Sequence, residues 1–268
     1  MATRLLVVGG GNMGTALLRG LLAAGWEPGR LAVAEADAAR RSVVARQLEG
    51  IEVVEDVEAA AEPLAADGAV VAVKPADGEA ACSALGRGGV KRVLSVMAGV
   101  RLTSLESWLG PQVAVVRAMP NTPALVGAGM SAVSGGSRAT ERDVEWAEEV
   151  LGAVGRVVRV PEPQLDVVTG LSGSGPGYLF YVVEAMIEAG VAEGLSEEVS
   201  RALVIQTFAG AARLLAESGE TPEVLRARVT SPGGTTEAGL AALTGRDVAG
   251  AFSAAVAAAA ERSRELGS

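Results

Sequence analysis

The sequence predicts an α/β protein, with an N-terminal Rossmann-type doubly wound sheet followed by an all-α C-terminal domain. Two observations predict this fold class. As far as residue 161, short apolar runs alternate with stretches of helical periodicity, which is typical of a parallel sheet covered by helices. From Tyr178 onward only long helical periodicity remains. The boundary is placed in VPEPQLD (160–166), so the predicted domains are residues 1–162 and 163–268.

Eight short apolar runs predict the strands of the first domain: RLLVVG (4–9), RLAVAE (30–35), IEVVE (51–55), GAVVAVK (68–74), RVLSVMAG (92–99), VAVVRAM (113–119), GMSAVSG (129–135) and RVVRVP (156–161). Helical spacing predicts the helices between them, including MGTALLRGLLAAGW (13–26), ADAARRSVVARQLEG (36–50) and TERDVEWAEEVLGAVG (140–155). Thr103 and Glu106 have the spacing of a capping box, which indicates the start of another short helix.

The second domain is predicted from four helical stretches, at 178–195, 196–218, 221–229 and 247–266. Ser196 and Thr221 are good N-caps, and Pro222 suits a first helical position. These helices carry apolar residues on more than one face, which a bundle of about a hundred residues cannot bury alone. We therefore expect a partner subunit, the alternative being a tight core against the first domain.

Composition excludes several classes of function. The 268 residues contain no histidine, which excludes His-based acid–base catalysis, Ser–His triads and His-ligated metals. The single cysteine, Cys82, excludes a disulfide framework or a thiolate metal cluster and is interpreted as a core residue, so no metal site is expected. A net charge of −9 argues against a nucleic-acid partner. No apolar run has the length of a membrane span, and LLVVGGGNMG is too short and glycine-broken for a signal peptide, so a cytoplasmic location is expected.

A dinucleotide-binding fingerprint follows the first strand. In GGGNMG, Gly9 permits a tight turn, Gly11 lets the backbone approach a pyrophosphate, and Gly14 lets helix and strand pack closely. Asn12 and Met13 open the helix whose N-terminus favours the anion. The alternative is a glycine-rich turn in an α/β domain that binds no nucleotide.

Other strand ends supply the remaining candidate contacts to NADPH or NADH. Glu35, at the end of the second strand, is placed to bind the ribose 2′-OH, which favours NADH, whereas Arg40 and Arg41 are close enough to bind a 2′-phosphate. The preference stays open. Ligands bind outside the carboxyl ends of parallel strands, which adds two further groups of candidates: Ala72, Val73, Lys74 and Pro75, and Met97, Ala98 and Gly99.

Six motifs then occur in the order and at the separations of one enzyme family: GGGNMG, AVKP, SVMAGV, RAMPNTPALVGAGM, LSGSGPGY and VTSPGGTTEAGL. Together they resemble the pyrroline-5-carboxylate reductases, from the first strand to AERSREL (260–266). The resemblance implies hydride transfer from NAD(P)H to the C=N carbon of 1-pyrroline-5-carboxylate, giving L-proline in the last step of proline synthesis. It also implies a helical domain interlocked with a second subunit, and hence at least a homodimer, with a larger assembly of dimers left open.

The resemblance also implies roles for individual residues. The SPGGTT loop is expected to hold the substrate carboxylate through Ser231, Gly233, Gly234, Thr235 and Thr236, because small residues before a helix offer N–H and hydroxyl donors to an anion. The hydroxyl of Thr236 is expected to meet the ring nitrogen as the catalytic group. The alternative is a simple helix–helix turn in which the Ser and Thr side chains act as caps.

Two further candidates come from loops of the first domain. Asn121, held between two prolines, is expected near the nicotinamide carboxamide or the substrate, its alternative being a structural turn. Glu162 and Asp166 both match acidic family positions near the site. The alternative for each is an ordinary boundary charge, and this is the interpretation preferred for Asp166.

Three positions depart from the family pattern. Gly177 stands where Ala is usual, Glu237 where an aliphatic residue is usual, and Val57 roughly where an Asn contacts the cofactor. Two rival functions remain. One is reduction of another cyclic imine, such as a piperideine carboxylate, since one methylene changes discrimination by only about 1–3 kcal/mol. The other is a nucleotide sensor without catalysis, which would have no use for the SPGGTT loop.

Overall fold

The computed structural model describes residues 4–58 and 66–267, which form two compact units. The first unit runs to Ser174 and also includes the chain from Ala257 onward; the second is Gly175–Val256. The last helix therefore begins in the second unit and ends in the first. The predicted domain boundary after residue 162 precedes the division between the units and stays a prediction.

An eight-stranded sheet forms the centre of the first unit, and it confirms the eight predicted strands. In chain order they are β1 Arg4–Val8, β2 Leu31–Ala34, β3 Glu52–Val54, β4 Ala66–Val71, β5 Arg92–Ser95, β6 Ala114–Met119, β7 Gly129–Gly135 and β8 Gly155–Arg159. Their spatial order is β3-β2-β1-β4-β5-β6-β7-β8. The strands pair in parallel from β3 to β6, but β7 is antiparallel to β6 and β8 is parallel to β7. Only a short 3₁₀ turn, Thr122–Val126, joins β6 to β7, and a connection of that length cannot make a parallel crossover.

Helices cover both faces of this sheet: α1 Asn12–Ala23, α2 Ala38–Gln47, α3 Gly78–Arg87, α4 Leu102–Leu109, α5 Glu141–Gly152 and the short α6 Leu165–Val168. The core divides into two apolar clusters. One packs α1 and α5 against the sheet and the other packs α3 and α4. Cys82 is fully buried in the second cluster, which confirms the prediction that it is a core residue. Burial raises the pKa of its thiol to about 12, so the thiol stays neutral.

The predicted capping box at Thr103 and Glu106 is wrong. Helix α4 starts at Leu102, so both residues lie inside the helix. The backbone N–H of Leu102 instead donates to Oε1 of Glu162, at 2.7 Å. A carboxylate sixty residues further along the chain thus takes the place that sequence spacing had assigned to a local side chain.

The second unit is helical, as predicted, with α7 Gly175–Ala192, α8 Glu197–Ser218, α9 Pro222–Arg228, α10 Thr235–Gly245 and the first part of α11, Val248–Leu266. Ser196 and Thr221 are confirmed as N-caps, because their side chains accept from Val199 N and Val224 N. Helix α7 has no buried residue, and Phe180 and Tyr181 are 64% and 73% exposed. An exposed apolar surface of this kind is typical of an interaction site.

Candidate functional site

The glycine turn after β1 has the shape that a dinucleotide requires. A Cβ atom on Gly9 would lie 2.8 Å from the carbonyl oxygen of Ala72, and one on Gly14 would lie 2.0 Å from that of Gly9. A Cβ on Gly11 would meet no protein atom within 4 Å. Gly9 and Gly14 are therefore required for close packing inside the protein. Gly11 faces open space, where a pyrophosphate can approach the backbone.

The N-terminus of α1 lies directly after this turn. Gly11 is its N-cap in extended conformation, no side chain caps the helix, and the first turn, which includes Asn12 and Met13, contains no acidic residue. The first-turn N–H groups and the positive end of the helix dipole are thus left for an anion. This arrangement fits the phosphates of NADH or NADPH.

Glu35 lies beside the glycine turn, at the carboxyl end of β2. Its Oε2 accepts from Gly10 N at 2.8 Å and its Oε1 from Asp37 N at 2.9 Å, so the carboxylate is fixed in position. Arg41 Nη1 donates to the carbonyl oxygens of Glu35 and Ala36, at 2.9 and 2.6 Å. Arg40 is exposed and keeps its guanidinium in solvent. The acidic Glu35 and the basic Arg40 and Arg41 thus all lie near the position predicted for the adenine ribose, so the choice between NADH and NADPH stays open.

The other strand-end candidates divide into exposed and packed residues. Ala72 N donates to Val8 O at 2.8 Å, which holds the end of β4 next to the glycine turn, and Lys74 and Pro75 are exposed just beyond it. Met97 is buried, and its sulfur would lie 2.8 Å from a Cβ on Gly78, so its side chain packs on α3. Only the backbone of Met97 is left for a cofactor.

The remaining strand-end candidates, Val73, Ala98 and Gly99, follow the carboxyl ends of β4 and β5. Val73 follows Ala72 and packs partly against the cluster under α3 and α4. Ala98 is exposed, while Gly99 has a φ of 77° and lies against Leu266 near the end of α11.

The side chain of Asn121 forms two hydrogen bonds within the first unit. Its Oδ1 accepts from Met130 N at 2.8 Å, and its Nδ2 donates to Ser172 O at 3.1 Å. Ser172 belongs to a single π-helical turn, Thr169–Gly173. The amide thus ties the loop after β6 to the start of β7 and to this turn. These two bonds fix the position of the loop, and the expected contact of Asn121 with cofactor or substrate stays a prediction.

Glu162 belongs to a buried charge network that sequence reasoning missed. Arg117, on β6, is 4% exposed, and its Nη1 lies 3.0 Å from Oε1 of Glu162. Its Nη2 lies 3.8 Å from Asp166 Oδ1, which accepts from the hydroxyl of Ser263 at 2.6 Å. Asp166 is therefore part of an ion network, contrary to the expectation of an ordinary boundary charge. The available signal was an arginine inside the otherwise apolar strand VAVVRAM.

The SPGGTT loop lies in the second unit and leads into α10. Gly234 is the N-cap of that helix, and Gly233 has a φ of 69°, a left-handed conformation that favours glycine. A Cβ on Gly234 would lie 2.4 Å from the hydroxyl oxygen of Ser231, so the loop is compact. Thr235 and the half-buried Thr236 occupy the first turn of α10, where free N–H groups and the dipole favour an anion.

Glu237 occupies part of the surface of this loop. Its Oε2 accepts from Gly233 N at 2.8 Å, so the carboxylate folds back onto the loop. Arg228, which precedes the loop at the end of α9, pairs with Glu220 and not with Glu237. The negative charge of Glu237 therefore stays beside the loop without a cationic partner in the described part of the chain.

The structure thus collects the cofactor candidates at one edge of the first unit's sheet, and it places the substrate candidates in one loop of the second unit, except for Glu162, which lies in the first. Val57 is buried in the first unit, and its apolar side chain cannot replace the hydrogen bonds of an Asn. Within residues 4–58 and 66–267, no cluster of acidic or sulfur ligands suits a metal ion.

Known proteins match the chain from end to end. Residues 162–266 match the family model for pyrroline-5-carboxylate reductase dimerisation, and residues 4–99 match the model for coenzyme F420-dependent NADP oxidoreductases. A pyrroline-5-carboxylate reductase from Mycobacterium tuberculosis is 42% identical, over 98% of this chain and 96% of its own. One from Synechocystis is 39% identical, over 100% and 99%.

Solved structures agree with these matches. The pyrroline-5-carboxylate reductase of Coxiella burnetii has a TM-score of 0.93 at 35% identity and is covered over the whole of both chains. That of Plasmodium falciparum, with NADP bound, has a TM-score of 0.87 at 29% identity, over 99% of this chain and 98% of that one.

The dimerisation match bears on one further feature of the second unit. Helix α8 is long and apolar enough to cross a membrane by length and composition alone, which is weak support for a span. The helix lies wholly inside the match to the dimerisation model. With both halves matched and relatives near 40% identity along its whole length, the chain belongs to the pyrroline-5-carboxylate reductase family.

Proposed function

We propose that the protein reduces 1-pyrroline-5-carboxylate to L-proline with NAD(P)H, the last step of proline synthesis. The observation that carries this proposal is the combination of two anion-binding helix N-termini in one family member. One follows the open cradle at Gly11, and the other follows the SPGGTT loop. The first suits a pyrophosphate and the second a small carboxylate.

The residues of the chain have few chemical tasks, because the nicotinamide supplies the hydride. The imine carbon accepts the hydride and the ring nitrogen gains a proton, which together give the secondary amine of proline. A hydroxyl that donates to the nitrogen makes the carbon a better acceptor. We assign this donation to Thr236, and we assign the carboxylate to the N–H and hydroxyl groups of Ser231, Gly234 and Thr235, with Gly233 shaping the loop.

The cofactor side is assigned in the same way. The glycine turn and the first turn of α1 hold the pyrophosphate, while Glu35 and Arg40 decide between a ribose 2′-OH and a 2′-phosphate. The strand ends at 72–75 and 97–99 contribute contacts along the cofactor. For Glu162 and Asn121 the hydrogen bonds described above support positioning roles in place of direct contact with substrate or cofactor.

We further propose that the working protein is at least a homodimer located in the cytoplasm. The exposed apolar side chains of α7 and α8 support self-association, and the dimerisation match covers both helices. Residues 1–162 are assigned to cofactor binding and residues 163–268 to dimerisation and substrate binding.

The test is a set of steady-state rates with NADH and NADPH, each against pyrroline-5-carboxylate and the piperideine homologue. Turnover should favour the five-membered ring, and faster turnover of the piperideine would reassign the substrate. Thr236→Ala should lower kcat about 100- to 1000-fold, the usual cost of removing one polarising donor. Thr236→Ser should restore most of the rate, and Thr235→Ala should mainly raise KM. Full turnover by Thr236→Ala would overturn the catalytic assignment.

A further inference from the structure

The loop between β5 and α4, residues 96–101, contains three of the cofactor candidates, Met97, Ala98 and Gly99. The side chains of Met97 and Val100 are buried in the apolar cluster beneath the loop, whereas Ala98 is exposed. Gly99 is buried and has a φ of 77°, a left-handed conformation that favours glycine. Two apolar side chains thus anchor the loop, and the cover over Gly99 comes from another element.

The end of helix α11 packs on the backbone of this loop. A Cβ atom on Gly99 would lie 3.1 Å from the Cβ of Leu266, and one on Gly267 would lie 2.3 Å from the carbonyl oxygen of Gly99. Both contacts lie within the first unit, to which the chain from Ala257 onward belongs. Contacts this close leave no space between loop and helix, so the end of α11 limits the conformations that the loop can adopt.

A buried hydrogen bond holds the end of α11 in this place. The hydroxyl of Ser263, which is 3% exposed, donates to Oδ1 of Asp166 at 2.6 Å. The same carboxylate oxygen lies 3.8 Å from Nη2 of the buried Arg117. A hydrogen bond to a carboxylate is stronger than one between neutral groups. The ion pairs of Arg262 and Arg264 stay within α11 and do not fix the helix to its neighbours.

The same arginine reaches the loop by a second route. Nη1 of Arg117 lies 3.0 Å from Oε1 of Glu162, and that oxygen accepts from the backbone N–H of Leu102 at 2.7 Å. Leu102 is the first residue of α4, directly after the loop. Because a buried guanidinium requires its carboxylate partners close by, Arg117 fixes both acids in place. One route from Arg117 therefore ends at Leu102 and the other, through α11, at Gly99.

We propose that Ser263 is a positioning residue for the cofactor, acting through the end of α11 on the loop 96–101. Without its hydroxyl the helix end loses its bond to Asp166, and Gly99 loses the contact that limits the loop. A loop that samples more conformations binds the cofactor less tightly, because only a fraction of the protein then has the conformation that fits. The inference rests on the proposed cofactor role of residues 97–99.

The experiment measures the Kd of NADH and of NADPH from cofactor fluorescence, with the full-length protein and no imine. Ser263→Ala should raise the Kd of the preferred cofactor about 5-fold, within the range of coupling through packed networks. The KM for pyrroline-5-carboxylate at saturating cofactor should stay unchanged. Ser263→Thr keeps a hydroxyl and should restore the Kd. Ser253→Ala is the matched control, because that hydroxyl donates to Ala249 O within α11, and it should leave the Kd unchanged.

Two readouts separate positioning from a loss of stability. A merely structural role would lower the melting temperature and the amount of folded protein, but the folded fraction would bind cofactor with the original Kd. Amide hydrogen exchange in a peptide that covers 96–102 should be faster in Ser263→Ala and unchanged in Ser253→Ala.

An unchanged Kd for Ser263→Ala, or a raised Kd without faster exchange in this peptide, would overturn the inference alone. Failure of the original protein to reduce pyrroline-5-carboxylate would instead overturn the proposed function, since the binding assay contains no imine.

Discussion

Replacing Glu237 by Gln should lower the KM for pyrroline-5-carboxylate and leave kcat nearly unchanged. The carboxylate of Glu237 accepts from Gly233 N at 2.8 Å, on the loop assigned to the substrate carboxylate. Both anions therefore compete for one positive helix end. Because the amide oxygen of Gln can still accept from Gly233 N, the substitution removes the charge and keeps the loop's hydrogen bond.

The size of the effect follows from Coulomb's law. A substrate carboxylate on the same loop would lie about 6 Å from that of Glu237, which gives a repulsion of about 0.7 kcal/mol at the dielectric constant of water and about 1.4 kcal/mol at half that value. Glu237 is exposed, so the lower figure applies best. A fall in KM of about 3- to 10-fold is expected.

The assay is a comparison of KM and kcat at low and high ionic strength. Near 1 M salt the screening length is about 3 Å, so most of the difference between Glu237→Gln and the original protein should disappear. Glu198→Gln, an exposed acid in the first turn of α8, changes the net charge equally and should leave KM unchanged. An unchanged or higher KM for Glu237→Gln at low salt would refute the assignment of the substrate carboxylate to this loop.

Two further predictions test the first unit. Gly14→Ala should lower the melting temperature, because its Cβ would lie 2.0 Å from Gly9 O. Gly11→Ala should leave the melting temperature unchanged and should raise the KM for cofactor at least about 10-fold, because its Cβ would block the approach of the pyrophosphate. Equal melting temperatures for the two variants would contradict this interpretation. Glu162→Gln, which breaks the pair with Arg117, should lower the free energy of unfolding in urea by about 2 kcal/mol. This is less than for a fully buried pair, because the side chain of Glu162 is 26% exposed. The control Glu141→Gln, in a surface pair with Arg159, should lower it by less than about 0.5 kcal/mol.

Local patterns were enough to predict the elements of this fold. The strands and long helices follow from apolar periodicity, and Ser196 and Thr221 cap their helices through neighbours three residues away. The reversal of β7 and β8 was missed, although the short connection after Met119 carried the signal. The capping box at Thr103 failed because Glu162, which is distant in sequence, supplies the acceptor.

The site was predictable where one residue type has a single physical reason to be present. The glycines of the turn meet that condition, and their geometry agrees with each expected role. Asn121 and Glu162 do not, since an amide or a carboxylate suits a ligand and a distant backbone group equally well. Sequence spacing cannot tell which partner a fold brings near, and for both residues the partners come from other elements of the first unit.

The last helix sets a constraint on how the chain is made. Helix α11 starts in the second unit, yet from Ala257 onward it belongs to the first, where Ser263 binds Asp166 and Leu266 packs on Gly99. The ribosome makes these residues only after the whole second unit, so the first unit must wait, incomplete, until they emerge. At about 5–20 residues per second that delay lasts several seconds. During this time the nascent first unit is exposed to proteases and to neighbouring chains, and a C-terminal truncation would make the exposure permanent.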